Sequence, residues 1–163
     1  MPAASDLPAM EILPGPTGES NQLSIHPRGR VLCLGPSRAA ALRQALAALA
    51  QRNSIVIIAD DGELSARELQ QAGFKAMGMD GLLEPEALEI LDGFDAVMSD
   101  AHDHELTAYR IALSRRQGRI IPLIIATDEP DRLVLERHLC IDTTAAGGNA
   151  SLIAEGDQGM PDE

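Results

Sequence analysis

Arg30-Val31-Leu32-Cys33-Leu34-Gly35-Pro36-Ser37 is the stretch that decides the fold. Its apolar run is too short for a helix, Gly35-Pro36 stops it, and Ser37 supplies a side-chain acceptor for the first free amides of a helix. The stretch therefore reads as strand, turn and N-cap. Beyond it, Leu42, Leu46 and Leu49 recur at i, i+4 and i+7 among alanines and predict an amphipathic helix. Ser54 to Ala59 (SIVIIA) is continuous and β-branched, the pattern of a strand covered on both faces. Ser65 and Glu68 have the spacing of an S-x-x-E capping box, and Gly73 stops the helix they open. A short helix is expected from Pro85, with Leu88 and Leu91 inward and Gly93 after its end. Asp95 to Ser99 predicts a third strand, and Asp103 to Gln117 a helix striped by Leu106, Tyr109 and Leu113. Ile120 to Ala126 (IIPLIIA) predicts a fourth strand, which Pro122 assigns to an edge or a bulge. Pro130 to His138 is expected to form one or two helical turns, and Leu139 to Thr143 an extended segment. Buried strands alternating with helices pair in parallel through right-handed crossovers. The expected fold is thus α/β: a small Rossmann-like three-layer fold with a mostly parallel sheet of four to five strands.

Composition narrows the function. The chain has 163 residues, a size that supports one modest core, and with 45% apolar but only 2% aromatic residues that core must be aliphatic. Recognition of bases by stacking is disfavoured accordingly. Thirteen basic against 25 acidic residues give a formal charge of −12, a field that repels phosphate backbones and anionic lipid, so neither nucleic acid nor a membrane is expected as a partner. The first residues, Met1 to Glu11, hold no basic residue and no apolar core of the kind a signal peptide needs. Cys33 and Cys140 each lie in an apolar stretch and read as small buried hydrophobes in a reducing, cytoplasmic setting.

Four segments are expected. Residues 1–21, with Pro2, Pro8, Pro14, Pro16, Gly15 and Gly18, read as a flexible Pro/Gly-rich arm. Residues 22–141 are the Rossmann-like domain, 142–154 an extended docking motif, and 155–163 a disordered acidic tail.

Several residues have a chemical reading beside a plain one. Gly35-Pro36-Ser37-Arg38-Ala39-Ala40 opens a helix after a strand, where a dinucleotide pyrophosphate would sit, and Asp60 follows 25 residues after Gly35 as a ribose-binding acid would. Gly35, Ser37 and Asp60 are the cofactor-binding candidates, although Ser37 replaces the central glycine of the fingerprint and is equally explained by capping. Ser99 to Glu105 (SDAHDHE) offers His102 and His104 as metal ligands; the plain reading has Asp100 or Asp103 capping the next helix and both histidines facing solvent. His138 lies two residues from Cys140 and would share a strand face with it, yet neither cysteine has a setting that would activate a thiolate. Arg28, Arg30, Arg38, Arg43 and Arg52 form either an acidic-partner patch or a solvated face. Finally, Asp142, Thr143, Thr144, Ala145, Ala146, Gly147, Gly148, Asn149, Ala150 and Ser151 make a run of small side chains that lets an extended strand lie flat on a partner. It offers too little apolar area to gain much by folding back on its own sheet.

Two stretches resemble one family. Leu13 to Gly35 (LPGPTGESNQLSIHPRGRVLCLG) resembles the segment after the aldehyde dehydrogenase module of bacterial proline utilization A proteins, and Leu139 to Leu152 (LCIDTTAAGGNASL) resembles their C-terminal motif. The resemblance brackets Leu13 to Leu152. It implies a bifunctional parent that oxidises proline with FAD, then oxidises glutamate semialdehyde with NAD, passing the intermediate through an internal tunnel. It further implies that this chain is the additional Rossmann-like domain of the longer members, which packs on the aldehyde dehydrogenase module while the terminal motif helps close the tunnel.

The departures restrict that inheritance. Neither R-V-L-C-L-G at Cys33 nor H-L-C-I-D at Cys140 matches the dehydrogenase nucleophile motif, and no proline dehydrogenase barrel fits into 163 residues. The isolated chain is accordingly expected to be non-catalytic, with no cofactor or metal of its own.

Overall fold

A computed structural model describes residues 10–125 and 129–142. Among these, residues 27–135 form one compact unit, and residues 10–26 with 136–142 another.

The larger unit is built on strands β3 (Arg30–Cys33), β4 (Ser54–Ala59), β5 (Ala76–Asp80), β6 (Ala96–Met98) and β7 (Leu123–Ile124). They lie in the order β5-β4-β3-β6-β7, every neighbouring pair parallel. Between them run α1 (Arg38–Ala50), α2 (Gly62–Gln71), α3 (Ala87–Ile90) and α4 (Asp103–Ser114). Strand alternation divides the core. Val31, Cys33, Ile55, Ile57 and Met98 pack with the residues of α1 and α2, while Leu32, Leu34, Ile58 and Val97 pack with Leu88, Tyr109 and Ala112 of α3 and α4. This is the expected three-layer, Rossmann-like arrangement, with β3 at its centre and β7, next to Pro122, at one edge. Arg116 ties the second layer together: it donates to Leu91 O at 2.6 Å, pairs with Asp92 at 2.8 Å and lies 4.9 Å from the Phe94 ring centre.

The structure corrects several local expectations. Helix α1 presents both alanines and leucines to the sheet: Ala41, Ala45 and Ala48 are fully buried, Leu49 is buried beside them and Leu42 packs against that core, while Leu46 of the expected stripe is exposed. Small residues there bring helix and strand backbones close together. Ser65 and Glu68 form no capping box, because α2 begins at Gly62 and both lie inside it. Strand β5 carries no apolar run that would mark it in the sequence, since Met77 and Met79 are exposed and Gly78 lies against α2. Leu91 is half-exposed, α4 stops at Ser114, and the fourth predicted strand shrinks to two residues, leaving Ile120 in solvent.

The region expected to be helical over 130–138 is instead a 3-10 turn, Pro130–Leu133, followed at once by strand β8 (Val134–Asp142). Arg28 fixes this turn by donating to Arg132 O at 2.9 Å and Val134 O at 3.0 Å. Strand β8 belongs to a second sheet with β1 (Glu11–Leu13) and β2 (Glu19–Pro27), in the order β1-β2-β8. β1 and β2 are antiparallel, with Ile12 opposite Gln22. The arm read over 1–21 therefore contains β1 and the start of β2. Its Pro14, Gly15 and Pro16 occupy the intervening turn, where Pro16 O accepts the Glu19 amide at 3.1 Å. Of the docking motif 142–154 and the tail 155–163, all but Asp142 lies outside the described residues.

Candidate functional site

In a doubly wound sheet the crevice for a ligand opens at the carboxyl ends of the strands where the chain order reverses, here between β3 and β6. Buried Ser99 crosses that gap, its hydroxyl donating to Leu34 O at 2.9 Å, and the Leu34 amide reaches Met98 O at 2.9 Å. Asp100 follows. Its two oxygens accept Gln44 Nε2 at 2.7 Å and Arg43 at 3.1 Å, both from α1. Gln44 is buried and its Oε1 has no partner among the described residues.

The three cofactor candidates stand where the sequence placed them, at the ends of β3 and β4. Several groups around them are already engaged. Gly35 is packed directly under α1, so a Cβ there would come 2.2 Å from the Ala41 nitrogen. Pro36 has no N–H, and Ser37 caps α1, its hydroxyl accepting Ala40 N–H at 3.3 Å and its carbonyl Ala41 N–H at 3.0 Å. Arg38 spans from α1 to α2, donating to Ser65 Oγ at 3.1 Å and to both oxygens of Glu68 at 3.0 and 3.1 Å. Asp60 itself is exposed.

His102 is the N-cap residue of α4 and His104 lies in its first turn; their exposed rings stack with centres 6.3 Å apart. Neither Asp100 nor Asp103 caps this helix by a side-chain bond, since Asp100 is turned to Gln44 and Arg43. Among the described residues no three histidine, cysteine or acidic side chains gather as a metal site.

The cysteines part company. Cys33 is fully buried at the end of β3, and loss of solvation pushes its thiol far above the ordinary range. Cys140 was read as buried but is exposed on β8, where its neighbours Leu139 and Ile141 are also exposed. The five clustered arginines part: Arg28, Arg38 and Arg43 are each spent on internal bonds at different places, whereas Arg30 and Arg52 come together at the amino edge of the sheet. Asp142 ends β8; Thr143 to Ser151, the rest of the docking run, lie outside the described residues.

Sequence reasoning missed one feature. A cavity of about 710 Å³ opens at the opposite, amino edge of the parallel sheet, lined by Arg30, Arg52, Lys75 and Arg119. These residues are far apart in the chain, so no motif could reveal it.

No family model matches the chain. Individual proteins do. The bifunctional protein PutA of Escherichia coli strain K12 is 37% identical over 150 residues, covering 89% of this chain and 11% of that protein. PutA of Rhizobium meliloti is 34% identical over 161 residues, covering 88% and 12%. The chain is a PutA-related domain. It spans only about a ninth of the length of these curated relatives. Among solved structures, this PutA-related domain is similar in fold to an NAD-dependent benzaldehyde dehydrogenase from Corynebacterium glutamicum, with a TM-score of 0.56 and 16% identity over 71% of this chain and 28% of that one. PnpE in complex with nicotinamide adenine dinucleotide gives 0.54 and 21% over 70% and 26%. At such identities the likeness speaks for the fold alone. No described helix is long and apolar enough to cross a membrane.

Proposed function

We propose that this PutA-related domain is a non-catalytic docking domain of a cytoplasmic bifunctional enzyme that converts proline to glutamate, FAD and NAD being bound by other modules of that parent. It packs on the aldehyde dehydrogenase module, and the segment 142–154 helps seal the tunnel that carries the semialdehyde. The carrying observation is the exposed small sheet: β8 leaves Leu139 and Ile141 half in water, β1 leaves Ile12 73% exposed, and no residue of Glu136–Asp142 is buried. A three-stranded sheet with apolar side chains in solvent and the docking run directly after it is suited to covering by another surface. The PutA relatives support an aldehyde dehydrogenase module as that surface. In the same reading the Gly35 turn binds no NAD, since its hydroxyl, its guanidinium and its space are already used.

The test is association of the full chain with the parent's aldehyde dehydrogenase module by analytical ultracentrifugation, repeated with Leu139→Asp/Ile141→Asp. Micromolar association lost in the double variant is expected, and in the parent enzyme removal of 142–154 should lengthen the lag of the coupled reaction. Absence of association, or association indifferent to the double variant, overturns the docking role. Saturable NAD binding by calorimetry overturns the non-catalytic one.

A further inference from the structure

The cavity at the amino edge is used neither by the fold nor by the docking role. Its volume of about 710 Å³ lies within the roughly 300–1,000 Å³ typical of small-molecule sites. Arg30 and Ser54, at the starts of β3 and β4, line its floor; Arg52, Phe74, Lys75 and Arg119 stand around it. One carboxylate, Asp95, is present, and it is already engaged. It accepts the Arg30 amide at 2.6 Å and pairs with Arg119. Gly29, at φ +134°, makes that bond possible, because a Cβ there would come 2.0 Å from the Asp95 oxygen. The Arg30 guanidinium donates to a neutral partner, Gly93 O, at 2.8 Å. Arg52 and Lys75 have no ion pair among the described residues. Three positive charges thus face one concave space without a counter-charge, in a chain whose formal charge is −12.

The positions of these cations are fixed by the backbone. Arg52 is held in the left-handed region at φ 61°, its amide bonded to Leu49 O at 2.9 Å, and the Lys75 carbonyl accepts the Ile55 amide at 3.1 Å. A bulky residue at positive φ is disfavoured and here places a cation at the cavity rim. Arginine and lysine together suit phosphate, the one by its forked donors, the other as a compact charge. Phe74 supplies an apolar wall for the remainder of a ligand.

We propose that this cavity binds a small phosphorylated molecule, its phosphate or pyrophosphate group held by Arg30, Arg52 and Lys75 and its less polar part lying against Phe74. The site is on the opposite edge of the sheet from the Gly35 turn and does not depend on docking.

The full chain, labelled with ¹⁵N, is titrated at constant ionic strength with inorganic pyrophosphate, with AMP and with citrate as a carboxylate control. Saturable shifts of the Arg30, Ser54 and Lys75 amides are expected with pyrophosphate and AMP, and AMP should add a shift at Phe74. Citrate should bind at least tenfold more weakly. Arg52→Gln/Lys75→Gln, which alters exposed side chains only, should weaken pyrophosphate at least tenfold, while Arg43→Gln at the other edge leaves it unchanged. Absence of saturation, equal affinity for citrate, an undiminished double variant, or shifts centred on Ser37 to Ala40 would each overturn the proposal. So would an acidic peptide that displaces pyrophosphate at lower concentration, because it would mark the cavity as a protein contact.

Discussion

The two edges of the parallel sheet carry the same kind of side chain and use it in opposite ways. At the carboxyl edge Arg38 and Arg43 are paired with Glu68 and Asp100, and the turn between β3 and α1 is filled by α1 itself. At the amino edge Arg30, Arg52 and Lys75 surround an open cavity with no carboxylate left for them. Doubly wound sheets ordinarily receive ligands at the carboxyl edge. In this chain that edge has become internal structure, and its charges hold helices together.

The severest break in this contrast is Gly35→Val. With a Cβ at 2.2 Å from the Ala41 nitrogen, no rotamer relieves the clash, so α1 must move off β3. Overpacking of this kind costs about 3 kcal/mol, which for a chain of this size lowers the melting temperature by roughly 10 °C. Urea unfolding of the variant measures it. A loss below about 1 kcal/mol would mean that the turn still has room.

Asp100→Ala attacks the same edge through its hydrogen bonds. It leaves the amide of buried Gln44 without its 2.7 Å acceptor, beside an Oε1 that already lacks a partner. An unsatisfied buried donor costs about 2 kcal/mol. Adding Gln44→Met removes both orphaned groups, so the double variant should recover most of that loss in the same unfolding assay. If Gln44→Met fails to rescue, the damage comes from the lost Arg43 pair or from the Ser99 turn, and Gln44 is not the hub assigned here.

How much of this was legible in the sequence follows from burial. Val31 to Leu34 and Ile55 to Ala59 are covered on both faces, so their apolar runs are continuous and the Gly35-Pro36-Ser37 stop is unambiguous. β5 is an edge strand with methionines in solvent, and such a strand needs no apolar signature. In β8 the apolar stretch around Cys140 reads as a buried setting, whereas Leu139, Cys140 and Ile141 are all exposed; a sequence cannot say which surface, if any, covers a sheet. Gly35, Ser37 and Asp60 follow the ends of β3 and β4, a position legible in the sequence because strand ends are local features. What surrounds them depends on Arg38 reaching α2, a contact across 30 positions. The amino-edge cavity draws on positions 30, 52, 75 and 119 and is created by the topology alone.

Cys33, the last residue of β3, reports on the closed edge without any substitution. Burial raises the folded-state pKa of its thiol above that of the unfolded chain. Below about pH 8.5 the thiol is protonated in both states and its contribution to stability is fully present. Above that, the unfolded chain releases a proton that the native chain keeps, so stability falls as pH rises, by about 1.4 kcal/mol per unit. Unfolding measured between pH 8.5 and 9.5 should show a loss of about 1 kcal/mol, the full slope being reached only once the unfolded thiol is wholly ionised, and Cys33→Ala should remove it. Thiol labelling adds a kinetic form of the same test: exposed Cys140 should react in the native state, Cys33 only on unfolding. Native-state labelling of Cys33 would show that the carboxyl edge opens.

The smallest effect is expected where the contrast is drawn in charge alone. Arg38 and Glu68 pair at 3.0 Å, but their side chains are 35% and 54% exposed, so solvent screens much of the attraction. Exposed pairs of this kind contribute about 0.5 kcal/mol, and Arg38→Gln should cost no more than that at low salt. Part of the loss should vanish in 1 M NaCl, where charges further apart than about 3 Å are screened. What survives high salt is the bond from Arg38 Nε to the uncharged hydroxyl of buried Ser65, at 3.1 Å, which salt weakens less than the ion pair. Ser65→Ala in the Arg38→Gln background separates the two parts, because removing the hydroxyl should then cost nothing further through Arg38. If Arg38→Gln instead destabilises by several kcal/mol regardless of salt, the guanidinium is acting as a packed strut between α1 and α2, and the closed edge is held by shape more than by paired charge.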